Sequence, residues 1–175
     1  MTTLVLRDGA VADADRIAEV HVRSWQAAYR GLIDQELLDG LSISDRADGW
    51  RRNISAPLPT IIGILVAERK GRIVGWTSFG SGREEEGASD GEIYGIYADP
   101  AEWSTGVGRA LLAAAEHRIT AAGHTQAYLW VLDGNERADA FYARHGWQLD
   151  GARKVEERPD MSLREHRRVK RFTHS

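Results

Sequence analysis

The stretch from Glu92 to Leu112, EIYGIYADPAEWSTGVGRALL, constrains the fold more than any other part of the 175-residue chain. Its first half is rich in Ile and Tyr, which suit a pleated surface. Asp99-Pro100 closes that strand, because proline donates no ladder hydrogen bond and restricts the residue before it. From Val107 the apolar positions (Val107, Leu111, Ala114, Ala115, Ile119) fall at helical spacing. The connecting loop is built of small residues, Ser104, Thr105, Gly106 and Gly108. Such a loop lets free backbone N–H groups at a helix N-terminus approach an anion, with the helix dipole adding to the attraction.

Taken alone, the loop has three readings. Gly106-Val107-Gly108-Arg109-Ala110-Leu111 is a dinucleotide fingerprint whose third glycine is replaced, with Asp133 standing near the ribose-binding position. It is equally a tight connection. It is also a pyrophosphate cradle outside a Rossmann sheet. No GxxxxGK[ST] occurs, which excludes a Walker loop.

Residues 1–175 are expected to form a single domain. The flanking sequence places this unit in a mixed α/β (α+β) sheet. Thr3 to Arg7 reads as a first strand, and Asp13 or Asp15 can cap a helix bearing Ile17, Val20, His21, Ser24 and Trp25. A short helix follows over Asp34 to Asp39, then another capped by Ser44 and running to Ile54. Thr60 to Glu68 and Arg72 to Gly80 form a hairpin about Arg69-Lys70-Gly71. Ser81 to Gly91 is a polar loop, in which Arg83-Glu84-Glu85-Glu86 reads as solvated. After the central strand–loop–helix come a strand (Thr125 to Leu132), a helix (Glu136 to Arg144) and two strands (147–156 and 162–172). Consecutive strands predict antiparallel pairing, and the strand–helix–strand passage from Glu92 to Leu132 predicts a parallel crossover.

Composition narrows the function classes. A net charge of −3 and a pI near 6.1 call for neither nucleic acid nor a membrane surface, so the basic run Arg164–Arg171 reads as a solvated strand face. The absence of cysteine removes disulfides, thiolate metal sites and a cysteine acyl-enzyme. The six histidines show no HxxxH or HExxH spacing, so no metal is expected. No secretory signal or membrane-length apolar run is visible, and a cytoplasmic location is the expectation.

A second constellation lies at Asn135-Glu136-Arg137-Ala138-Asp139-Ala140-Phe141-Tyr142-Ala143-Arg144-His145-Gly146-Trp147. By itself it is an amphipathic helix with Asn135 as N-cap and Tyr142 half-buried. Together the two constellations resemble the GNAT acyltransferase superfamily. The matching pieces are Ile96-Tyr97-Ala98-Asp99-Pro100, Trp103-Ser104-Thr105-Gly106-Val107-Gly108, and Asn135 through Trp147. The N-terminal segment, with His21, Ser24-Trp25 and Ala28-Tyr29-Arg30-Gly31-Leu32, resembles one branch of it. One position departs: Trp103 stands where the family usually has Gln or Arg, which leaves the loop's hold on phosphate mainly to its backbone.

The resemblance implies a GNAT fold in which the strand at Glu92 splays from the next parallel strand. The pantetheine arm of acetyl-CoA, the cosubstrate, would lie in the gap against the main chain of Ile96, Tyr97 and Ala98. The segment Trp103, Ser104, Thr105, Gly106, Val107, Gly108 and Arg109 would hold the pyrophosphate, with Arg137 adding charge. Asn135 and Phe141 would contact the arm. Tyr142 would be the general acid for the thiolate, whose ordinary pKa of ~8.5 lies below that of tyrosine, ~10.

An alkylammonium acceptor needs a base, and Glu92 is the candidate, expected by period two to share a face with Tyr94 and Ile96. Trp25, Tyr29 and Tyr94 are the candidate acceptor contacts. The expected activity is direct N-acetyl transfer from acetyl-CoA to a small-molecule or amino-acid-like amine. The alternatives are acyl-CoA binding without turnover, or transfer to a protein amine. The resemblance implies that a homodimer is an assembly open to the chain, though no particular residue points to it.

Overall fold

The computed structural model describes residues 3–85 and 89–173; Glu86, part of the acidic run, lies outside them. The strands are β1 (Leu4–Asp8), β2 (Ile61–Arg69), β3 (Arg72–Ser81), β4 (Gly91–Ala98), β5 (Gln126–Leu132), β6 (Gln148–Glu157) and β7 (Ser162–Arg171). The helices are α1 (Ala14–Ala28), α2 (Gln35–Asp39), α3 (Ile43–Ser55), α4 (Val107–Ala121) and α5 (Glu136–Arg144). All seven strands form one sheet in the order β1-β2-β3-β4-β5-β7-β6. β4 and β5 are parallel and the other neighbours antiparallel.

β2 and β3 read as nearly unbroken apolar runs because both of their faces are covered. Leu65 and Ala67 point to the α4 side, where Val107, Leu111, Ala115 and Ile119 are almost completely buried. Ile64 and Val66 point the other way, onto Ile17, Val20 and Trp50 of α1 and α3. Each such Leu or Ile contributes about 1.5–3 kcal/mol by leaving water. Two cap positions differ from the sequence expectation. Ser42, not Ser44, accepts the Asp45 N–H at 3.1 Å and begins α3. Asp13 makes no cap bond to α1, because its carboxylate is held by Arg7 at 2.7 Å and by the Ala10 N–H at 2.8 Å.

Two irregularities make the site. β4 pairs with β5 only at Gly91–Ala127 and Glu92–Tyr128, after which the two strands part. Against β3, Ser78 pairs with Gly95 and Phe79 with Ile93, so Tyr94 is an extra residue, a β-bulge. A bulge bends and twists its strand, and this one sits directly after the last β4–β5 pair. It also shifts the alternation of faces. Ile96 packs with the α4 core, whereas Tyr97 packs on the α1 side. The period-two expectation that Glu92, Tyr94 and Ile96 share one face is therefore corrected: beyond the bulge, Tyr97 takes the α1 side.

The basic run is also not a free solvated face. Arg168 is buried and holds Asp139 of α5 through both nitrogens, at 2.7 and 2.9 Å, while donating to the Trp147 carbonyl at 2.8 Å. Lys170 bonds Glu116 of α4 at 2.8 Å. β7 thus fastens both helices that frame the gap. No helix among the described residues is long and apolar enough to cross a membrane.

Candidate active site

The parted strands leave two connected cavities. One, of about 460 Å³, lies between the β4–α4 loop and α5. The other, of about 250 Å³, lies under α1 and between β4 and β5. Ile96, Ala138 and Tyr142 line both.

The loop is assembled by local bonds. Asp99, almost fully buried, accepts from the Ala101 N–H at 3.1 Å and from Arg16 at 2.8 Å, which pins the loop to α1. Thr105 turns its hydroxyl onto the Glu102 carbonyl at 2.7 Å, and Glu102 also pairs with Arg69. Gly106 caps α4 at φ +93°, a conformation that favours glycine. The first α4 amide bonded back into the helix is that of Ala110, to the Gly106 carbonyl at 3.0 Å. The N–H groups of Val107, Gly108 and Arg109 precede it and so have no partner in the helix. A Cβ on Gly108 would lie 3.4 Å from the Phe141 ring, so glycine keeps the groove floor open there.

The sequence-derived groove residues divide by what they present. Ser104, Gly106, Gly108, Arg109, Arg137 and Phe141 line the groove. Val107 presents only backbone, since its side chain is core. Trp103 donates its indole N–H to the Ala98 carbonyl at 3.0 Å, and the Arg137 guanidinium stacks 3.6 Å above its ring. The tryptophan thereby orients an arginine, whose pKa burial lowers, in place of offering its own polar group. Arg144 and His145 also line the groove and escaped sequence reasoning. Arg109, Arg137 and Arg144 have no carboxylate partner among the described residues, so the groove carries unneutralised positive charge.

Along β4, Asp99 donates its N–H to Val74 of β3 at 2.8 Å. By the two-residue repeat, the main-chain groups of Ile96 and Ala98 face the gap and those of Tyr97 face β3. The Ala98 carbonyl is already taken, by Ser24 at 2.8 Å as well as by Trp103. Asn135 Oδ1 accepts from the Ala138 N–H at 3.2 Å and caps α5, and the residue borders the inner cavity. Tyr142 is buried, and that burial, then nearby Tyr97, raises its hydroxyl pKa.

In the inner cavity, Trp25 meets Tyr29 edge-on at 4.9 Å, and the Tyr29 and Tyr97 hydroxyls are 3.1 Å apart. Tyr94 offers its ring, since its hydroxyl donates to the Ser81 carbonyl at 2.8 Å. Glu92 is 1% exposed and its oxygens are occupied. Oε1 accepts from Arg83 Nη2 at 2.6 Å, and Oε2 accepts from Arg83 Nε, the Arg83 backbone N–H and Tyr128, all within 3.1 Å. Glu165 of β7, invisible to sequence reasoning, lines the same cavity. Its Oε2 is buried without a hydrogen bond, 3.8 Å from Lys154 Nζ, and burial raises its pKa. His21 accepts from Trp50 Nε1 at 3.3 Å and stacks on Tyr97; burial, then Arg46 and Arg158, lowers its pKa to about 3.

The site is thus a sheet opened at a bulge, with a glycine loop at a helix N-terminus beside the opening. The model of the acetyltransferase (GNAT) family matches residues 20–147, and the chain belongs to that family. It is 32% identical over 133 residues to the N-acetyltransferase YuaI of Bacillus subtilis (strain 168), covering 75% of this chain and 73% of YuaI. The fold matches PaiA N-acetyltransferase from Thermoplasma acidophilum, solved with coenzyme A, at a TM-score of 0.72 and 20% identity, over 97% of this chain and 99% of that one. It also matches YncA from Salmonella typhimurium, solved with acetyl-CoA, at a TM-score of 0.70 and 16% identity, over 98% and 95%.

Proposed function

We propose that the protein moves an acetyl group from acetyl-CoA to the amine of a small molecule by direct attack in a ternary complex. The observation that carries this is the position of Tyr142, at the junction of the cationic groove and the inner cavity. The coenzyme A and acetyl-CoA in the PaiA and YncA structures support the choice of cosubstrate.

The pyrophosphate lies against the open amides of Val107, Gly108 and Arg109, with Arg109, Arg137 and Arg144 supplying charge. The pantetheine arm enters the gap as a strand would, on the free main-chain groups of Ile96. Asn135 bonds the arm through its side-chain amide N–H, since its oxygen caps α5, and Phe141 packs beside it.

The amine enters from the inner cavity, past Trp25, Tyr29 and the ring of Tyr94. A carboxylate takes its proton. Glu165 holds an oxygen free for this, while Glu92 steadies Arg83 and the cavity wall. The amine lone pair then forms the N–C bond at the thioester carbonyl. The C–S bond breaks and its electron pair leaves on sulfur; Tyr142 gives its proton to the thiolate, and the nitrogen, cationic after attack, returns a proton to Tyr142, which leaves a neutral amide and the free thiol.

The test is acetyl-CoA with a panel of small amines, following free thiol and the acetylated amine by mass spectrometry. Stoichiometric thiol and N-acetyl product is the expected result. Tight CoA binding with thiol release no faster than in buffer, whatever amine is added, overturns the proposal in favour of binding without turnover.

A further inference from the structure

The cations around the inner cavity are matched in number by Glu84, Glu92, Glu156 and Glu165, and Glu165 stands 3.8 Å from Lys154, but the pairing leaves one arginine out. Arg83 is held by Glu92 at 2.6 Å, Lys154 by Glu84 at 3.2 Å, and Arg158 by Glu156 at 2.9 Å. The acidic loop residue Glu84 is thereby neutralised and does not make the cavity anionic. Arg46 of α3 also lines the cavity, and it has no carboxylate partner among the described residues. Its guanidinium stands 5.2 Å from the centre of the Trp25 ring, and Arg158 approaches the same ring at 5.4 Å.

Two guanidinia at one indole repel each other. Burial and then Arg158 lower the Arg46 pKa, and after burial His21 feels both cations. A partly buried cation without a counter-charge destabilises the empty protein. A ligand anion reverses that cost, and arginine is the side chain best shaped to hold a planar carboxylate. At about 250 Å³, the cavity suits a small molecule rather than a folded protein surface.

We infer that Arg46 and Arg158, beside Trp25, bind the carboxylate of the acceptor, which makes the acceptor an amino acid with its amine directed toward Tyr142. The inference deepens the proposed N-acetyl transfer and rests on it. A polyamine would bring a second cation to Arg46 in place of an anion. A chain-terminal amine or a lysine of a protein would leave Arg46 without a carboxylate. The reaction is unchanged: the amine nitrogen bonds the acetyl carbon, and sulfur leaves with the C–S electron pair.

The experiment measures kcat/KM with acetyl-CoA for L-methionine and L-phenylalanine. Each is compared with its amide and its decarboxylated amine, and spermidine is included as a cationic amine. Each acid should exceed its own amide and decarboxylated amine at least tenfold. Arg46→Gln should lower kcat/KM for the acid about 10- to 100-fold further than for the amide, mostly through KM. Arg46→Lys should restore part of that preference. Arg158→Gln serves as the second variant should Arg46→Gln fail to fold, as read by its thermal melt. Amides, decarboxylated amines or spermidine matching the acids overturn this inference and leave the proposed reaction standing. So does an Arg46→Gln variant that slows every amine equally. Absence of acetyl transfer to any amine overturns the proposed reaction itself, and this inference with it.

Discussion

His21 should make the fold acid-sensitive well above the range where carboxylates titrate. In the folded chain its pKa is lowered from 6.5 to about 3, by burial first and by Arg46 and Arg158 after it. The unfolded chain therefore takes up a proton near pH 6.5 that the folded chain refuses until about pH 3. Stability falls as pH drops through that window, because the unfolded state binds more protons there. Between pH 7 and pH 5 the loss from this one group is about 2 kcal/mol. Asp13, Asp99 and Asp139 have lowered pKa values, so their losses come only at more acid pH. Burial raises the Glu165 pKa and opposes the trend, so the measurement is a difference between two proteins. His21→Asn keeps an acceptor for the Trp50 N–H, removes the titration and loses ring packing worth about 1 kcal/mol. Urea unfolding followed by tryptophan fluorescence, at steps from pH 7 to pH 5, gives both curves. The stability difference between the parent chain and His21→Asn should shift by about 2 kcal/mol against the parent between pH 7 and pH 5, which reverses its sign. Parallel curves would refute the assignment of a neutral, buried His21.

Two further outcomes follow from the site. The Glu165 pKa is raised and a base works deprotonated, so kcat/KM should rise with pH through a limb above the usual carboxylate range. Glu165→Gln should lose that limb and about 10²-fold in rate, while Glu92→Gln keeps the limb; pH–rate profiles of the two decide it. Gly106→Ala meets no atom within 4 Å, so its cost is the φ of +93° alone. That cost is about 1 kcal/mol in urea unfolding, and displacement of the α4 amides should weaken acetyl-CoA several-fold by calorimetry.

The parts of the site that lie close together in the chain were legible in the sequence. Asp99-Pro100, Gly106 and Gly108 mark a strand end, a left-handed cap and a close approach, and each is a local backbone demand. Asn135 to Trp147 is likewise read from one helical repeat. The bulge at Tyr94 was not legible, since the residues of β4 alternate plausibly with or without it; only the register against β3 reveals the shift. Period two accordingly misassigned Ile96. Arg46, Arg158 and Glu165 come from α3, the β6–β7 end and β7, and reach one cavity only through tertiary packing. The basic run of β7 looked solvated because its partners, Asp139 and Glu116, lie 29 and 54 residues away.

The central claim is that Tyr142 stands at the thioester and serves the leaving thiolate. The most direct measurement is the single-turnover rate of Tyr142→Phe with acetyl-CoA and an acetylatable amine, set beside its affinity for acetyl-CoA. The account predicts a rate about 10²-fold lower, with affinity within about twofold of the parent. An unchanged rate would contradict it.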